Sequence, residues 1–372
     1  MSFADRRPAA HAACTNCLRR SWLLAQLSGP LDFICSSPER LVDLLALPDE
    51  KLIEALAGRR RSELHSRHAH FSPSELTPAV GVVEICRHDG RYPPTLRGAL
   101  APAMLFASGD LSRLSRLTTH PMVAIVGARK PTDYGIEMAG ALARGLAASG
   151  VTVVGELADG ITQAGQDGAL QTGAALAVLP SGVDVAPPAR QRSLLARMQR
   201  VGVAVSELPC GSPRRRWSTA AAVRIVAALA PLTVIVEAED SEHELAGAHI
   251  AHTLGRTVAA VPGRVTSRAS SGAHVLLREG ASLVRGAGDV LDLLCVTGRP
   301  AERGDGELDG LEPRLRAVLD SVAAGLDTPH KLIGGGEPGE LLQALSELEV
   351  LGLLARGDGG RYVPSGALGG AA

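Results

Sequence analysis

Arginine and cysteine positions carry most of the chemistry this chain could perform. Residues 123–135, Val-Ala-Ile-Val-Gly-Ala-Arg-Lys-Pro-Thr-Asp-Tyr-Gly, run from a β-branched strand through Gly127 into a helix beginning near Thr132. The N–H groups of such a turn and of the helix start form an anion site. Arg129 at its mouth adds a forked donor suited to phosphate. The turn is neither GxGxxG nor GxxxxGK[ST]. Alone it fits a phosphate or nucleotide site and a tight turn with a surface arginine equally well. A second basic run, Arg214-Arg215-Arg216, precedes Trp217 and reads as a phosphate contact or a solvated turn. Cys14-x-x-Cys17 has zinc spacing, but a tetrahedral site needs four ligands, and no second CxxC or HxxxH follows nearby. With only His11 and Cys35 close in sequence, the expectation is two half-buried thiols and no bound metal. His249 and His252, three apart, read as exposed imidazoles on one helix. Asp184, Glu207 and Glu237 end strand candidates, where a catalytic carboxylate can sit, but Glu207 and Glu237 read better as caps of neighbouring loops. No Ser/His/Asp or Cys/His set stands at a recognisable spacing, so no catalytic residue is assigned.

The elements that must position these groups fall into three parts. Residues 1–75 read as a helical module: 18–27 has helical apolar spacing, and 37–58 gives two short amphipathic helices, the first opened by Ser37-Pro38 and the second by Pro48-Asp49. The polar, His-rich stretch GRRRSELHSRHAHFSPSELTP reads as a solvated connector. From about residue 80, short apolar β-branched runs alternate with Ala-rich helical stretches. Strands are expected at 123–126, 151–154, 175–179, 202–206, 233–237 and 257–261, and helices at 134–148, 162–172, 189–200, 219–230 and 244–254. Strands this apolar are covered on both faces, so residues 80–297 should form an α/β domain with a Rossmann-like doubly wound parallel sheet. Its ligand would lie beyond the C-terminal strand ends. After a polar linker, residues 308–366 give helices at 312–324, 328–333 and 337–351 and a hairpin around GDGG, the pattern of a C-terminal winged helix.

Composition narrows the partners. The chain has 372 residues, 38 Lys+Arg against 39 Asp+Glu and a net charge of -1, so it is no generic polycation and any anion site is local. Aromatic residues are 2%, too few for repeated base stacking. Only Lys51, Lys130 and Lys331 are lysines, which reads as genomic base composition. No run of 18 apolar residues and no signal-peptide core occurs, so a cytoplasmic protein without disulfides is expected.

The chain resembles the DNA-processing protein A (DprA, also called Smf) family over nearly its whole length. Tyr92-Pro93-Pro94-x-Leu96 with Pro102-x-x-Leu105-Phe106-x-x-Gly109 resembles the family's entry segment. Val126-Gly127-Ala128-Arg129 with Gly135 is similar to its first phosphate loop, and Leu157-Ala158-Asp159-Gly160-Ile161 with Gly168-Ala169-Leu170 to its second. Gly182-Val183-Asp184 with Pro188, Ser206-Glu207-x-Pro209, Arg224-Ile225-Val226-x-Ala228-Leu229, Pro262-Gly263 and Gly272-x-x-x-Leu276-Leu277-x-x-Gly280-Ala281 follow in the family's order. The departures concern residues that would line the pocket. Glu156 stands in the usual Ser-Gly-Leu-Ala, Thr162 and Gln166 in the usual Gly-Ile-Asp and Ala-His, Ala222 in the usual Arg-Asn-Arg, and His274 in the usual Gly-Thr-Asn. Residues 241–248, SEHELAGA, replace a Ser-Gly-Ser/Thr-Leu-x-Thr-Ala region. The chain therefore reads as a divergent member.

The resemblance implies a SAM- or HhH-like helical module, dimerisation through the α/β domain, and non-catalytic binding of single-stranded DNA with loading of the RecA recombinase in natural transformation. No cofactor or metal is expected. Gly127, Arg129, Lys130, Gly160 and Arg224 carry over as phosphate contacts, with Arg129 and Arg224 reaching one strand and Glu156 opposing them. Two alternatives stand beside this: a Rossmann-like nucleotide-binding enzyme or sensor using Glu156, Glu207 or Asp184, and a degenerate member acting through protein contacts. The third helix of the C-terminal unit carries Glu337, Glu340, Glu347 and Glu349 and no basic residue. Duplex recognition needs cations, so this unit reads as a protein-contact module.

Overall fold

A computed structural model describes residues 13–34, 38–76, 79–96, 98, 101–109, 111–173, 175–297, 312–323, 338–350, 354–356 and 362–364. Residues 1–298 form one compact unit and 299–372 a second.

Five helices open the first unit: α1 (Thr15–Gln26), α2 (Ser28–Ile34), α3 (Pro38–Ala46), α4 (Asp49–Leu56) and α5 (Arg61–Ala69). The stretch expected to be a solvated connector is instead α5 and the turn after it. Leu64, His68 and Phe71, spaced as one helical face, are buried, and His68 Nε2 lies 2.7 Å from Asp49 Oδ2. Phe71 packs on Trp22 with ring centroids 5.5 Å apart, and the Arg67 guanidinium covers the same indole at 5.1 Å. The polar composition that suggested a linker belongs to one face of a helix only.

The chain then builds a nine-stranded sheet. Its strands are β1 (Val82–Cys86), β2 (Met104–Gly109), β3 (Met122–Val126), β4 (Thr152–Glu156), β5 (Ala175–Val178), β6 (Val203–Ser206), β7 (Leu232–Ile235), β8 (Thr257–Ala260) and β9 (Ser282–Leu283), in spatial order β1-β2-β6-β5-β4-β3-β7-β8-β9. From β6 to β9 all neighbours are parallel, while β1–β2 and β2–β6 are antiparallel. The parallel heart is the one the apolar runs predict, because strands covered on both faces need no polar alternation. The antiparallel edge was not foreseen. The runs VVEIC and MLFASG had the β-branched and aromatic character to reveal it.

Helices α6 (Leu111–Thr119), α7 (Asp133–Ala148), α8 (Ile161–Thr172), α9 (Arg192–Val201), α10 (Arg216–Leu229), α11 (Glu242–Thr253), α12 (Ser271–Arg278) and α13 (Ala287–Thr297) connect and cover the strands. The paired helices α7 and α8 touch backbone to backbone: a Cβ on Gly168 would stand 2.5 Å from the Gly140 carbonyl oxygen. The α1–α5 segment shares one continuous apolar core with a face of the sheet. Trp217, fully buried at the start of α10, donates its indole N–H to Ser28 Oγ at 2.9 Å and its backbone N–H to Asp32 Oδ1 at 3.1 Å, which ties α2 to the sheet layer.

In the second unit, Pro313–Ala323 and Pro338–Val350 are helices, and Leu354–Arg356 pairs antiparallel with Tyr362–Pro364. Leu315, Val322, Leu345, Leu348, Leu354 and Tyr362 close a small core. The helix expected at 328–333 lies outside the described residues. Arg314 donates to both carboxylate oxygens of Glu347 at 2.9 and 2.8 Å, so part of the acidic helix is neutralised within its own unit.

Candidate nucleic-acid interface

Strand order reverses at β3: β4, β5 and β6 extend to one side of it, β7, β8 and β9 to the other. A cleft of about 260 Å³ opens at this switch point, where open α/β sheets bind their ligands. Val126, Gly127 and Arg129 come from the β3 exit, Glu156 from the β4 end and Thr162 from the first turn of α8. One face of α10 adds Arg216, Thr219, Ala220 and Val223, and the start of α11 adds His243, Glu244, Ala246 and Gly247. Helix α10 starts a turn earlier than its apolar pattern predicts, and that turn brings Arg216 to the cleft.

Glycines set the geometry of the β3 exit. At Gly127 an added Cβ would lie 2.2 Å from the Glu237 carbonyl oxygen. Gly160, at φ +86°, caps α8 so tightly against the same turn that a Cβ would lie 2.2 Å from the Ala128 carbonyl oxygen. Both shape the loop that presents Arg129. The start of α7, expected to offer its N–H groups to an anion, is already occupied. The buried Glu237 carboxylate accepts from the Thr132 N–H at 2.9 Å and the Thr132 hydroxyl at 2.6 Å. Glu237 is thus the cap that its strand-end position suggested, and the cleft's positive character comes from side chains.

Arg129 and Arg216 line the cleft and are exposed, Arg214 acts on Glu156 from outside the lining, and Glu156 and Glu244 oppose them. The Arg129 guanidinium lies 3.6 Å from Glu156 Oε1. Glu156 closes β4, a position the expected strand stopped short of, and it is buried. Burial pushes its carboxyl above the ordinary 4.5, with Arg129 and Arg214 offsetting part of that rise. The charged form is disfavoured in the fold, so the group's penalty on stability is absent below pH 4.5 and grows as pH rises through the folded pKa. Protonation also releases Arg129 from its carboxylate. Anion affinity at the cleft is therefore expected to rise as pH falls through the folded pKa of Glu156. Glu156→Gln should bind a phosphate-bearing strand about fivefold more tightly at pH above the folded pKa of Glu156, equivalent to ~1 kcal/mol, with the pH dependence flattened. Fluorescence anisotropy of a labelled oligonucleotide across pH, wild type against variant, checks this.

Of the other residues singled out in the sequence, Lys130 is exposed beside Arg129 but does not line the cleft. Arg224 is placed elsewhere. It is 2% exposed and pairs with Glu207 at 2.6 Å under the antiparallel side of the sheet. It does not line the cleft that holds Arg129; it borders a separate cavity with Glu207, Arg87 and His88. An arginine at a helix position reads the same in sequence whether it faces a ligand or an internal carboxylate. Glu207, expected as a loop cap, is that carboxylate. Among the departures from the family pattern, Glu156, Thr162 and, from residues 241–248, His243, Glu244, Ala246 and Gly247 line the cleft. Ala222 packs into the core against the sheet, Gln166 donates to the Gly155 carbonyl at 3.0 Å, and His274 Nε2 meets the Gly263 carbonyl at 3.1 Å. Asp184 accepts the Gly211 N–H at 2.9 Å. His249 and His252 have no third ligand group beside them among the described residues.

The thiols meet neighbours that spacing along the chain did not supply. His11 and Cys35, the ligands nearest in sequence, lie outside the described residues. The antiparallel edge that the sequence reading missed instead brings Cys86 and His88 to Cys14 and Cys17.

Comparison with known proteins adds the lineage. The family profile for DNA recombination-mediator protein A matches residues 84–295. A putative DNA processing protein DprA of Mycobacterium tuberculosis is 38% identical over 274 residues, covering 70% of this chain and 68% of the relative. The Smf protein of Synechocystis is 27% identical over 84% of this chain and 86% of its own length. Among solved structures, DprA from Streptococcus pneumoniae superposes with a TM-score of 0.59 at 26% identity, covering 74% of this chain and 95% of that one. A Helicobacter pylori DprA structure, described for its single-stranded DNA binding mode, gives 0.51 at 24% identity over 57% of this chain and 95% of that one.

Proposed function

Because the chain belongs to the DNA recombination-mediator protein A family, we propose that it binds single-stranded DNA along the switch-point cleft and performs no chemistry on it. The observation that carries this reading is the pair of exposed arginines, Arg129 and Arg216, lining a largely apolar cleft, with Arg214 near enough to act on the Glu156 carboxyl. The cleft, at about 260 Å³, falls below the roughly 300–1,000 Å³ of pockets that enclose a small-molecule ligand. A strand lying along the arginine rim, with one phosphate at Arg129, suits it better than a swallowed nucleotide.

The finer roles belong to the same reading: a cytoplasmic homodimer that hands single strands to the RecA recombinase during transformation or recombination. The single-stranded DNA binding described for the Helicobacter pylori relative supports the ligand class. We assign Gly127 and Gly160 to shaping the phosphate loop and Arg129, with Lys130 beside it, to contacting the backbone. We read the second unit as a winged helix used for protein contacts, because its last helix is acidic and Arg314 is already engaged by Glu347.

Gel shift with a single-stranded oligonucleotide at several salt concentrations tests the reading. Binding that weakens steeply with salt is expected. No shift, together with thermal stabilisation by a mononucleotide, would replace it with the small-nucleotide alternative. Deleting residues 306–372 is expected to leave single-strand affinity within about twofold, since phosphate contacts dominate such binding and none is assigned there. A large loss in the folded truncation would give the second unit a direct DNA role.

A further inference from the structure

Cys14 stands immediately before α1 and Cys17 in its first turn, while Cys86 ends β1 and His88 sits in the tight turn that follows, closed by the Asp89 N–H on the Cys86 carbonyl at 2.8 Å. One ligand atom from each of these four residues lies within 4.8 Å of every other. We propose that Cys14, Cys17, Cys86 and His88 form a structural zinc site that clamps the N-terminal helical segment to the antiparallel edge of the sheet.

The two S···N separations match edges of a metal tetrahedron. His88 Nδ1 stands 3.4 Å from Cys14 Sγ and 3.6 Å from Cys17 Sγ. With Zn–S near 2.3 Å and Zn–N near 2.0–2.1 Å, a tetrahedral site has S···N edges of roughly 3.5 Å. A single thiol–imidazole hydrogen bond would favour one sulfur, whereas this ring nitrogen faces two almost equally. All three cysteines are free thiols, an odd number that a disulfide cannot satisfy, and Cys17 and Cys86 are buried. Three thiolates and one imidazole are a soft donor set that selects zinc over oxygen-loving cations, and four protein ligands leave no open position for catalysis.

The four residues come as two sequence-local pairs, CxxC and CxH, about seventy residues apart. Closing that loop positions α1, whose Ser21 hydroxyl donates to the Glu207 carbonyl oxygen at 3.1 Å beyond β6. The clamp therefore acts where the helical segment meets the Arg224–Glu207 pair, and is separate from the arginine-rimmed cleft.

Metal analysis of the full chain purified without chelator should find about one zinc per chain. Cys86→Ser and His88→Ala, far in sequence from the CxxC pair, should each lose most of it, and chelation of the wild type should lower its thermal midpoint, restored by added Zn2+. Because a ligand variant can fail to fold, the decisive arm uses the chelated wild type. Added Co2+ should give the intense visible bands of a tetrahedral thiolate site and be displaced by Zn2+. Substoichiometric zinc with no tetrahedral cobalt spectrum in the folded, reduced chain overturns the proposal, as does full zinc in the Cys86→Ser variant. A protein that fails to bind DNA yet holds zinc would leave the site intact and count against the cleft alone.

Discussion

Arg224→Met is expected to cost about 3–5 kcal/mol of folding stability, because it strands the Glu207 carboxylate in a buried site without its cation. The side chains of the pair are 3% and 6% exposed and 2.6 Å apart. Removing both charges at once, in Arg224→Met with Glu207→Leu, should recover most of the loss, since a well-packed apolar pair of similar volume is often neutral. Urea unfolding of the single and double variants measures the coupling. Oligonucleotide binding by the folded fraction of Arg224→Met should stay near wild type. A variant with normal stability but lost DNA binding would return Arg224 to the phosphate role that the family resemblance implied.

Arg129→Ala should weaken single-strand binding about tenfold or more. It removes one charge-assisted hydrogen bond to phosphate, of the order of 1.5–3 kcal/mol, from an exposed loop residue whose loss leaves the core untouched. The plot of log affinity against log salt should become shallower by about 0.7, the share of one phosphate on a single strand. Arg129→Lys should keep the salt slope but not the full affinity, because an ammonium lacks the fork. Unchanged affinity and slope in Arg129→Ala would remove the cleft as the DNA site. The Glu156→Gln variant, which should move the other way, separates loss of a contact from general damage.

The parallel strands were legible because a strand covered on both faces is mostly apolar, and VAIV, VTVV and ALAVL leave few other readings. The turn at Gly127 was legible for a similar reason: only a residue without a Cβ tolerates a carbonyl oxygen 2.2 Å from where that atom would stand. The edge strands β1 and β2 were harder. Half-buried positions in β1 blur the apolar run, and antiparallel pairing to β6 joins segments about a hundred residues apart. The helical character of 61–69 was hidden because its two buried residues, Leu64 and His68, are outnumbered by charge on its outer face.

By itself the sequence determined the lineage, the α/β class and the loop that carries Arg129, since local glycine spacing and apolar runs are short-range properties of the chain. The tertiary structure decided which charges are spent internally. Glu237 fills the α7 start, Glu207 holds Arg224 in the core, and Arg314 covers Glu347. It also decided that Cys14 and Cys17 have partners at all. A pair of thiols carries no record of the strand that will fold beside it, and bringing Cys86 and His88 within 4.8 Å depends on a sheet edge built by distant pairing. Ligand sets and ion pairs are properties of distance in space, which neither composition nor spacing along the chain encodes.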